Sequence, residues 1–528
     1  MVSKKINFRT LLLGFCACVV FGVLVWLATF NADKGLLTLF SIDEFEELKY
    51  LFRMYDGFWA LDPIRFLSCS GFVYGFGSYW VNFFVTFPFL ALGDPTWVIF
   101  ASRWVSGVFM MLMLVALYKF LPKYPIWGVI IMLTMPIFWL FGAWHHPDPI
   151  MMGLLAVALW FLKKDMDDGG LGRWFWWSFS FFVMSVATKS TAAMFLFTWV
   201  FYGVGSFLIK GSALTKGHKI KGVLSLVGKS LGLGIGLYLL ICPYLIHPLG
   251  RYAMFHNAWD TLQKNATNHG LNTIVTYHEK IAAIQLGYGS IVLLFFGLLV
   301  CVFVIFSFLK SRKINTLFYA SIAFSGLLSF LYFFFGVNKA WWQYYAPVSI
   351  FVLVGAWPLV CRLLDKQFGK LVLGLFCVVH VYLGVGIVYK VLILPEAKYA
   401  HYRVLDDMII ESLNPYITQE SFVLISPKLG FSYDRLGLND DQVRFIYGPL
   451  TKDMFQKSAF LEKWKEVDLE RYPVRKFYRP DFIIIKKHDF DRHEDLLSGL
   501  RSGIFGYFLW KDLGEVVIFR HQFISEGT

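Results

Sequence analysis

Long apolar runs, each closed off by a short stretch carrying Lys or Arg, recur from about residue 10 to residue 391. A run of roughly 20 apolar residues reaches across a bilayer as a helix, and only closed hydrogen-bonded elements survive there. That alternation leaves few alternatives to a bundle of membrane-crossing helices. Composition agrees: of 528 residues 57% are hydrophobic, 19% are aromatic and only 16% are charged. The first run continues to Phe30 and has no small-residue cleavage pattern, so it reads as a retained span.

The runs cover residues 10–31, 96–118, 125–142, 149–162, 174–188, 191–209, 222–243, 286–309, 316–335, 345–361 and 370–391. Basic residues flank alternate ends, at Lys4, Lys5 and Arg9, at Lys119 and Lys123, at Lys163 and Lys164, between Lys210 and Lys229, at Lys310 to Lys313, and at Arg362 and Lys366. Because inward-facing loops favour Lys and Arg, a count of about eleven crossings puts all of these on the inner side and the C-terminus outside. The net charge of +13 is thus mainly a topology signal and does not imply a nucleic-acid partner. Counting residues 64–94 as a crossing would invert every later loop, so they are expected to form an interfacial or re-entrant helix in a first outer loop, 32–95.

The expected fold class is mostly α: a polytopic helical membrane protein of about eleven transmembrane helices plus interfacial helices, with a C-terminal α/β extracytoplasmic domain. The membrane part is expected to run over 1–395 and the outer domain over 396–528. SFVLIS, DFIIIKK and GEVVIFRHQ read as strands there, and EKWKEV as helix. The seven cysteines form neither a disulfide framework nor a Cys-based metal site.

On this topology the polar chemistry gathers on the outer side. SIDEFEELKYLFRMYDG opens the first outer loop, with Ser41 placed to cap a helix whose first turn carries Asp43 and Glu44. A carboxylate near the membrane surface can take a proton from an acceptor; Asp43 is the expected base, with Glu44 as rival or orienter. The acids and bases further along, Glu46, Glu47, Lys49 and Arg53, fit a wet helix face, and Asp56, Asp62 and Arg65 fit roles in fixing the loop.

The second cluster is WHHPDP at residues 144–149. The structural reading has Pro149 starting a helix that Asp148 caps; the functional one has His145, His146 and Asp148 facing a phosphate. Metal binding is open, with His146 and Asp148 as weak candidates, because adjacent residues seldom share one ion and no HExxH spacing occurs. Lys189, Arg251 and Lys339, with Tyr345, add outer-side groups able to pair with an anion, or simply to snorkel. The segment 245–285 reads as an outer loop rich in histidine, with His256, His269 and His278 as acceptor or lid candidates, and NAT at 265–267 is a formal sequon. No Walker loop, Rossmann fingerprint or GxSxG elbow occurs in a fitting context.

DE at 43 and 44, FLALGDPTWVIFASRWVSGVF, HHPD at 145–148, ATKSTAAMF at 187–195 and KAWWQYYAPVS at 339–349 follow one another in an order that resembles the GT-C superfamily of polytopic membrane glycosyltransferases. The nearest group is the protein mannosyltransferases and the aminoarabinose transferase of lipid A. FVYGFGSYW stands where those proteins often carry a proline pair, which leaves the sugar unassigned. The resemblance implies transfer of a sugar, with inversion, from a polyprenyl-phosphate-type carrier to a lipid, glycan or protein acceptor at the outer face of a membrane, and a bacterial inner membrane as its setting. It implies catalytic roles for Asp43, Glu44 and Asp148, and donor-phosphate contacts for Lys189, Lys339 and Tyr345. His145, His146 and Arg251 are further donor-phosphate candidates read from their position. No cofactor is implied with certainty, and a divalent cation is a candidate. A transporter or flippase of lipid-linked sugar is the alternative, and the absence of an evident internal repeat weighs against it.

Overall fold

A computed structural model describes residues 8–30, 32–38, 42–67, 75–211, 215–246, 248–267, 274–311, 313–393 and 396–418, and beyond them 420–426, 429, 431–438, 442–445, 480–487, 500 and 507–521. Ser41, His269 and the EKWKEV stretch lie outside the described residues.

Every expected run is helical. In chain order the helices are α1 (Phe8–Thr29), α2 (Ile42–Trp59), α3 (Pro63–Leu67), α4 (Gly77–Leu92), α5 (Pro95–Phe120), α6 (Pro125–Thr134), α7 (Pro136–Gly142), α8 (Pro147–Asp167) and α9 (Arg173–Thr188). They continue with α10 (Leu196–Lys210), α11 (Lys216–Ile241), α12 (Pro248–Thr267), α13 (Tyr277–Tyr288), α14 (Ile291–Ser311), α15 (Ile314–Leu331), α16 (Ala346–Leu364), α17 (Gln367–Val388) and α18 (Glu396–Leu413). Among the described residues seven helices are each long and apolar enough to cross a membrane; α6 and α7 pass the same test only as a pair, bent by 75° where Pro136 interrupts the ladder. The segment 245–285, expected as loop, is largely helical, in α12 and α13. Thr276 and Glu279 bond reciprocally across the first turn of α13, a capping box that makes a stable start from a polar sequence.

Helix α8 is the centre of the bundle. The short run 149–162 belongs to a longer helix, buried over most of its length between α5 and α9. Gly153 permits that approach, since a Cβ there would lie 2.8 Å from the Phe109 carbonyl.

Helix α4 answers the question posed by residues 64–94. Its entry is fixed by Gly75, where a Cβ would fall 1.9 Å from the Ala187 carbonyl, and by Trp80, whose indole donates to the Ile241 carbonyl at 3.0 Å. It therefore starts level with the C-terminal ends of α9 and α11. Its far end turns through Gly93, in the left-handed region at φ 66°, and Asp94 caps α5 by accepting from the Thr96 and Trp97 amides. About two turns into α5, Arg103 donates to the Ala28 carbonyl at the C-terminal end of α1. Both ends of α4 thus lie at one end of the bundle. Helix α2 packs beside it, burying Phe45, Leu48, Leu51 and Met54 on one face, each contributing about 1.5–3 kcal/mol. Glu47 and Lys49 are buried as well, contrary to the wet-face reading, and the Tyr79 hydroxyl of α4 donates to Glu47 at 3.2 Å.

The C-terminal segment builds a five-stranded sheet from β1 (Val423–Ile425), β2 (Val443–Phe445), β3 (Phe482–Lys486), β4 (Tyr507–Asp512) and β5 (Val516–His521), in the order β2-β1-β3-β5-β4. The three expected strands are present as β1, β3 and β5. Their unbroken apolar runs reflect burial on both faces. Val423, Ile425, Phe482, Ile484, Val516 and Ile518 face a core shared with α18 and α2, while Leu424, Ile483, Ile485, Val517 and Phe519 face a second cluster. An edge-to-face contact between Phe45 and Tyr433 joins this segment to the start of α2.

Candidate active site

Four chain segments far apart in sequence converge at one end of the bundle: the first turn of α2, the turn between α7 and α8, the break after α9 and the turn leading into α16. Asp43 and Glu44 are adjacent in α2 and so point about 100° apart around its axis. Glu44 turns inward and is fully buried. Arg103 on α5 grips it with a two-pronged contact, Nε to Oε1 at 2.9 Å and a terminal nitrogen to Oε2 at 2.8 Å, and the His145 amide donates to Oε1 at 2.9 Å. One carboxylate thereby fastens α2, α5 and the α7–α8 turn together. Asp43 turns outward with 35% of its side chain exposed.

The α7–α8 turn differs from its sequence reading. Helix α8 begins at Pro147, with extended His146 as its cap (φ −157°, ψ 156°), so Asp148 stands inside the first turn and Pro149 follows it. Proline suits the first helical position because its fixed φ is already helical and it has no amide to satisfy. Relieved of capping, the Asp148 carboxylate takes up two other partners: Lys189 Nζ at 2.7 Å and His146 Nδ1 at 2.7 Å. The Asp148 amide also lies 3.4 Å from Nδ1, but the shorter contact governs, so the ring donates to the carboxylate. His146 Nε2 stands 3.8 Å from Asp43 Oδ2. The imidazole therefore lies between the two clusters, in contact with Asp148 and near Asp43 but beyond hydrogen-bond distance of it. Trp144 stacks on it at 4.0 Å with only 7° between the planes, and Trp342 leans on Trp144 at 5.6 Å.

Lys189 reaches Asp148 because α9 ends in an extended residue (φ −149°, ψ 125°) before the short turn Ser190–Phe195. Lys339 is buried with its Nζ 4.5 Å over Trp341. Tyr345, expected to face an anion, packs instead in the hydrophobic core beside Phe330, and its carbonyl accepts from Tyr288. Its neighbour Tyr344 stacks between Trp341 and Phe333. His145 is buried, and among the described residues neither ring nitrogen has a hydrogen-bond partner. Burial first, then His146 and Arg103, lower its pKa to about 3, so the ring is neutral and a poor partner for a phosphate.

Arg251 and His278 are exposed, on α12 and at the start of α13 respectively. His256 lies on α12, its side chain outside the described set. Asn265 of the sequon accepts from Tyr344 through its side chain at 3.5 Å. Asp56 pairs with Arg65 at 2.7 Å, and Asp62 accepts from the Arg65 amide, as expected of loop-fixing groups. Among the described residues no three His, Cys, Asp or Glu side chains come together in a way that could hold a metal ion. Sequence reasoning missed Arg103, although a lone arginine inside the apolar run 96–118 is itself a signal.

The helical bundle, the sheet of the C-terminal segment and the cluster at one end of the bundle make up a polytopic, mostly helical fold, the class expected from the sequence. No family model matches the sequence, and no curated protein is similar to it in sequence. Solved structures are similar in fold over nearly the whole chain. ArnT from Cupriavidus metallidurans bound to undecaprenyl phosphate aligns with a TM-score of 0.53 at 13% identity, covering 98% of this chain and 99% of that one. The archaeal oligosaccharyltransferase AglB from Archaeoglobus fulgidus, in complex with an inhibitory peptide and a dolichol-phosphate, aligns with a TM-score of 0.50 at 11% identity, covering 95% of this chain and 73% of that one.

Proposed function

We propose that this protein is a glycosyltransferase that moves a sugar from a polyprenyl-phosphate-type carrier to a lipid, glycan or protein acceptor. The observation that carries the reading is the juxtaposition of Asp43, 3.8 Å from His146, with the bonded group His146, Asp148 and Lys189 at one end of a helical bundle. Asp43 alone among its three carboxylates is open to solvent, so it is the group able to accept a proton from the acceptor as the acceptor attacks the anomeric carbon, with inversion. Asp148 is already committed to a cation and an imidazole, and Glu44 to Arg103. Their part is to hold His146 and α2 in register, which makes them positioning residues. As the carrier phosphate leaves, negative charge develops that Lys339, with the Tyr344 hydroxyl and Lys189, would stabilise in a poorly solvated setting.

The site end of the bundle faces the periplasm or cell exterior in this reading, the N-terminus is cytoplasmic, and residues 396–528 form an outer α/β domain that closes over the start of α2. The similarity to proteins solved with undecaprenyl phosphate and dolichol-phosphate supports a carrier of that class. Reconstitution in liposomes with a panel of polyprenyl-phosphate sugars and acceptors tests it. Transfer of label to an acceptor supports the transferase; movement of intact donor between leaflets without transfer would replace it with a transporter.

A further inference from the structure

Asn338 lies just before Lys339, Trp341 and Tyr344, and it is half-buried. Its amide donates to the Asn265 carbonyl at 2.7 Å and its side-chain nitrogen to the Ala266 carbonyl at 3.3 Å. Those carbonyls end α12, where the last four have no helical partner of their own. Its side-chain oxygen accepts from the Val275 amide at 2.7 Å, one residue before the capping box of α13. A single side chain thus uses both its donor and its acceptor to fasten the end of one helix and the start of the next. No residue type other than Asn or Gln carries both functions in one neutral amide.

The fastening reaches the candidate site directly. Asn265, held at its carbonyl by Asn338, accepts from the Tyr344 hydroxyl, and Trp342 of the same turn leans on Trp144, which stacks on His146 beside Asp43 and Asp148. From the other side Lys280 on α13 donates to the Phe334 and Val337 carbonyls, each at 2.6 Å, and steadies the same turn where α15 gives out. The turn that carries Lys339 and leads to Tyr344 is therefore held by its neighbours, because 337–341 lies between two short helical turns and has no regular ladder of its own. We propose that Asn338 is a positioning residue of the transfer site: by clamping α12 and α13 to the 338–344 turn it sets Lys339 and Tyr344 opposite the Asp43–Asp148 pair, where the carrier phosphate binds. This rests on the transferase reading for its ligand, while the clamp itself does not.

The test uses the full-length chain in detergent, with undecaprenyl phosphate as the probe, and compares the native protein with Asn338→Ala and Asn338→Asp. Hydrogen exchange reads the clamp: in Asn338→Ala protection falls at the amides of residues 262–267 and 275–280, with α8 unchanged. Affinity reads the positioning: the Kd for undecaprenyl phosphate rises about tenfold in Asn338→Ala, the scale of one charge-assisted contact, and less in Asn338→Asp, which keeps the bond from Val275. Where a transfer assay is available the loss falls on KM for the donor more than on kcat, since the carrier phosphate is anionic before and during transfer. Unchanged exchange at both stretches overturns the clamp. Loosened exchange with unchanged affinity overturns the positioning role. A native chain that does not bind the probe overturns the donor class assumed above and leaves the exchange result to decide the clamp.

Discussion

Asp43 and Glu44 begin the same helix, one peptide bond apart, yet they live in opposite surroundings: Glu44 is sealed beneath Arg103, and Asp43 looks out with a third of its side chain in solvent. The same division recurs in the facing turn, where buried Asp148 is tied to Lys189 and His146 and the far edge of the His146 ring turns to Asp43. Buried charge pairs contribute little net stability, because desolvation offsets their attraction, but breaking one is costly. Under the proposed transferase reading, the contrast assigns the buried acids to fixing geometry and leaves one open acid to react.

The largest effect expected is on Asp43. Asp43→Asn removes the proton acceptor without disturbing a buried pair, so transfer falls by about 10³-fold while thermal stability in detergent stays within a degree or two of native. Residual transfer near the native rate would erase the distinction between the two neighbours. Next, Arg103→Met strands the Glu44 carboxylate and costs about 3–5 kcal/mol in unfolding, read by denaturant or thermal melts. The double change Glu44→Leu with Arg103→Met recovers most of it. Recovery of stability without recovery of transfer sharpens the comparison, since it separates holding the fold from holding the site.

Lys189→Met leaves Asp148 with His146 alone and lowers transfer by about 10²-fold, through misplacement of the imidazole and loss of a cation near the leaving phosphate. The smallest effect is on His145. Its folded pKa of about 3 lies below the ordinary value near 6.5, so the unfolded chain binds a proton that the folded one refuses. Stability is complete above pH 6.5 and is lost as pH falls toward 3, at up to about 1.4 kcal/mol per pH unit for this proton. His145→Phe flattens melting temperature against pH over that window and leaves transfer at neutral pH within a few-fold. A large loss of transfer in this variant would return His145 to the phosphate role its sequence position suggested.

How much of this was legible before the fold depends on the range of the interaction concerned. Helices follow from local apolar runs and from the Lys and Arg that bracket them, so all eleven expected runs are helical, and among the described residues seven helices are long and apolar enough to cross a membrane by themselves. The strands β1, β3 and β5 were readable for the same reason; β2 and β4, short or half-exposed, were not. The HHPD turn and the acids of α2 were visible as polar groups in costly places. Their pairings were not, because Arg103 meets Glu44, and Lys189 meets Asp148, across long separations set by packing. The rotation of a short helical turn is equally hidden, which is why Tyr345 drew attention that the geometry turns to Tyr344. The cap at His146 in place of Asp148 was a matter of two residues, within the usual uncertainty of helix ends.

The central claim is that the acid after the first span and the HHPD turn act as one unit through His146. A double-mutant cycle on single-turnover sugar transfer, comparing Asp43→Asn, His146→Phe and the pair together, measures it most directly. Groups that act as a unit are far from additive, so the double variant should be about as slow as Asp43→Asn alone. Losses that simply multiply would show that the two positions work independently and would contradict the account.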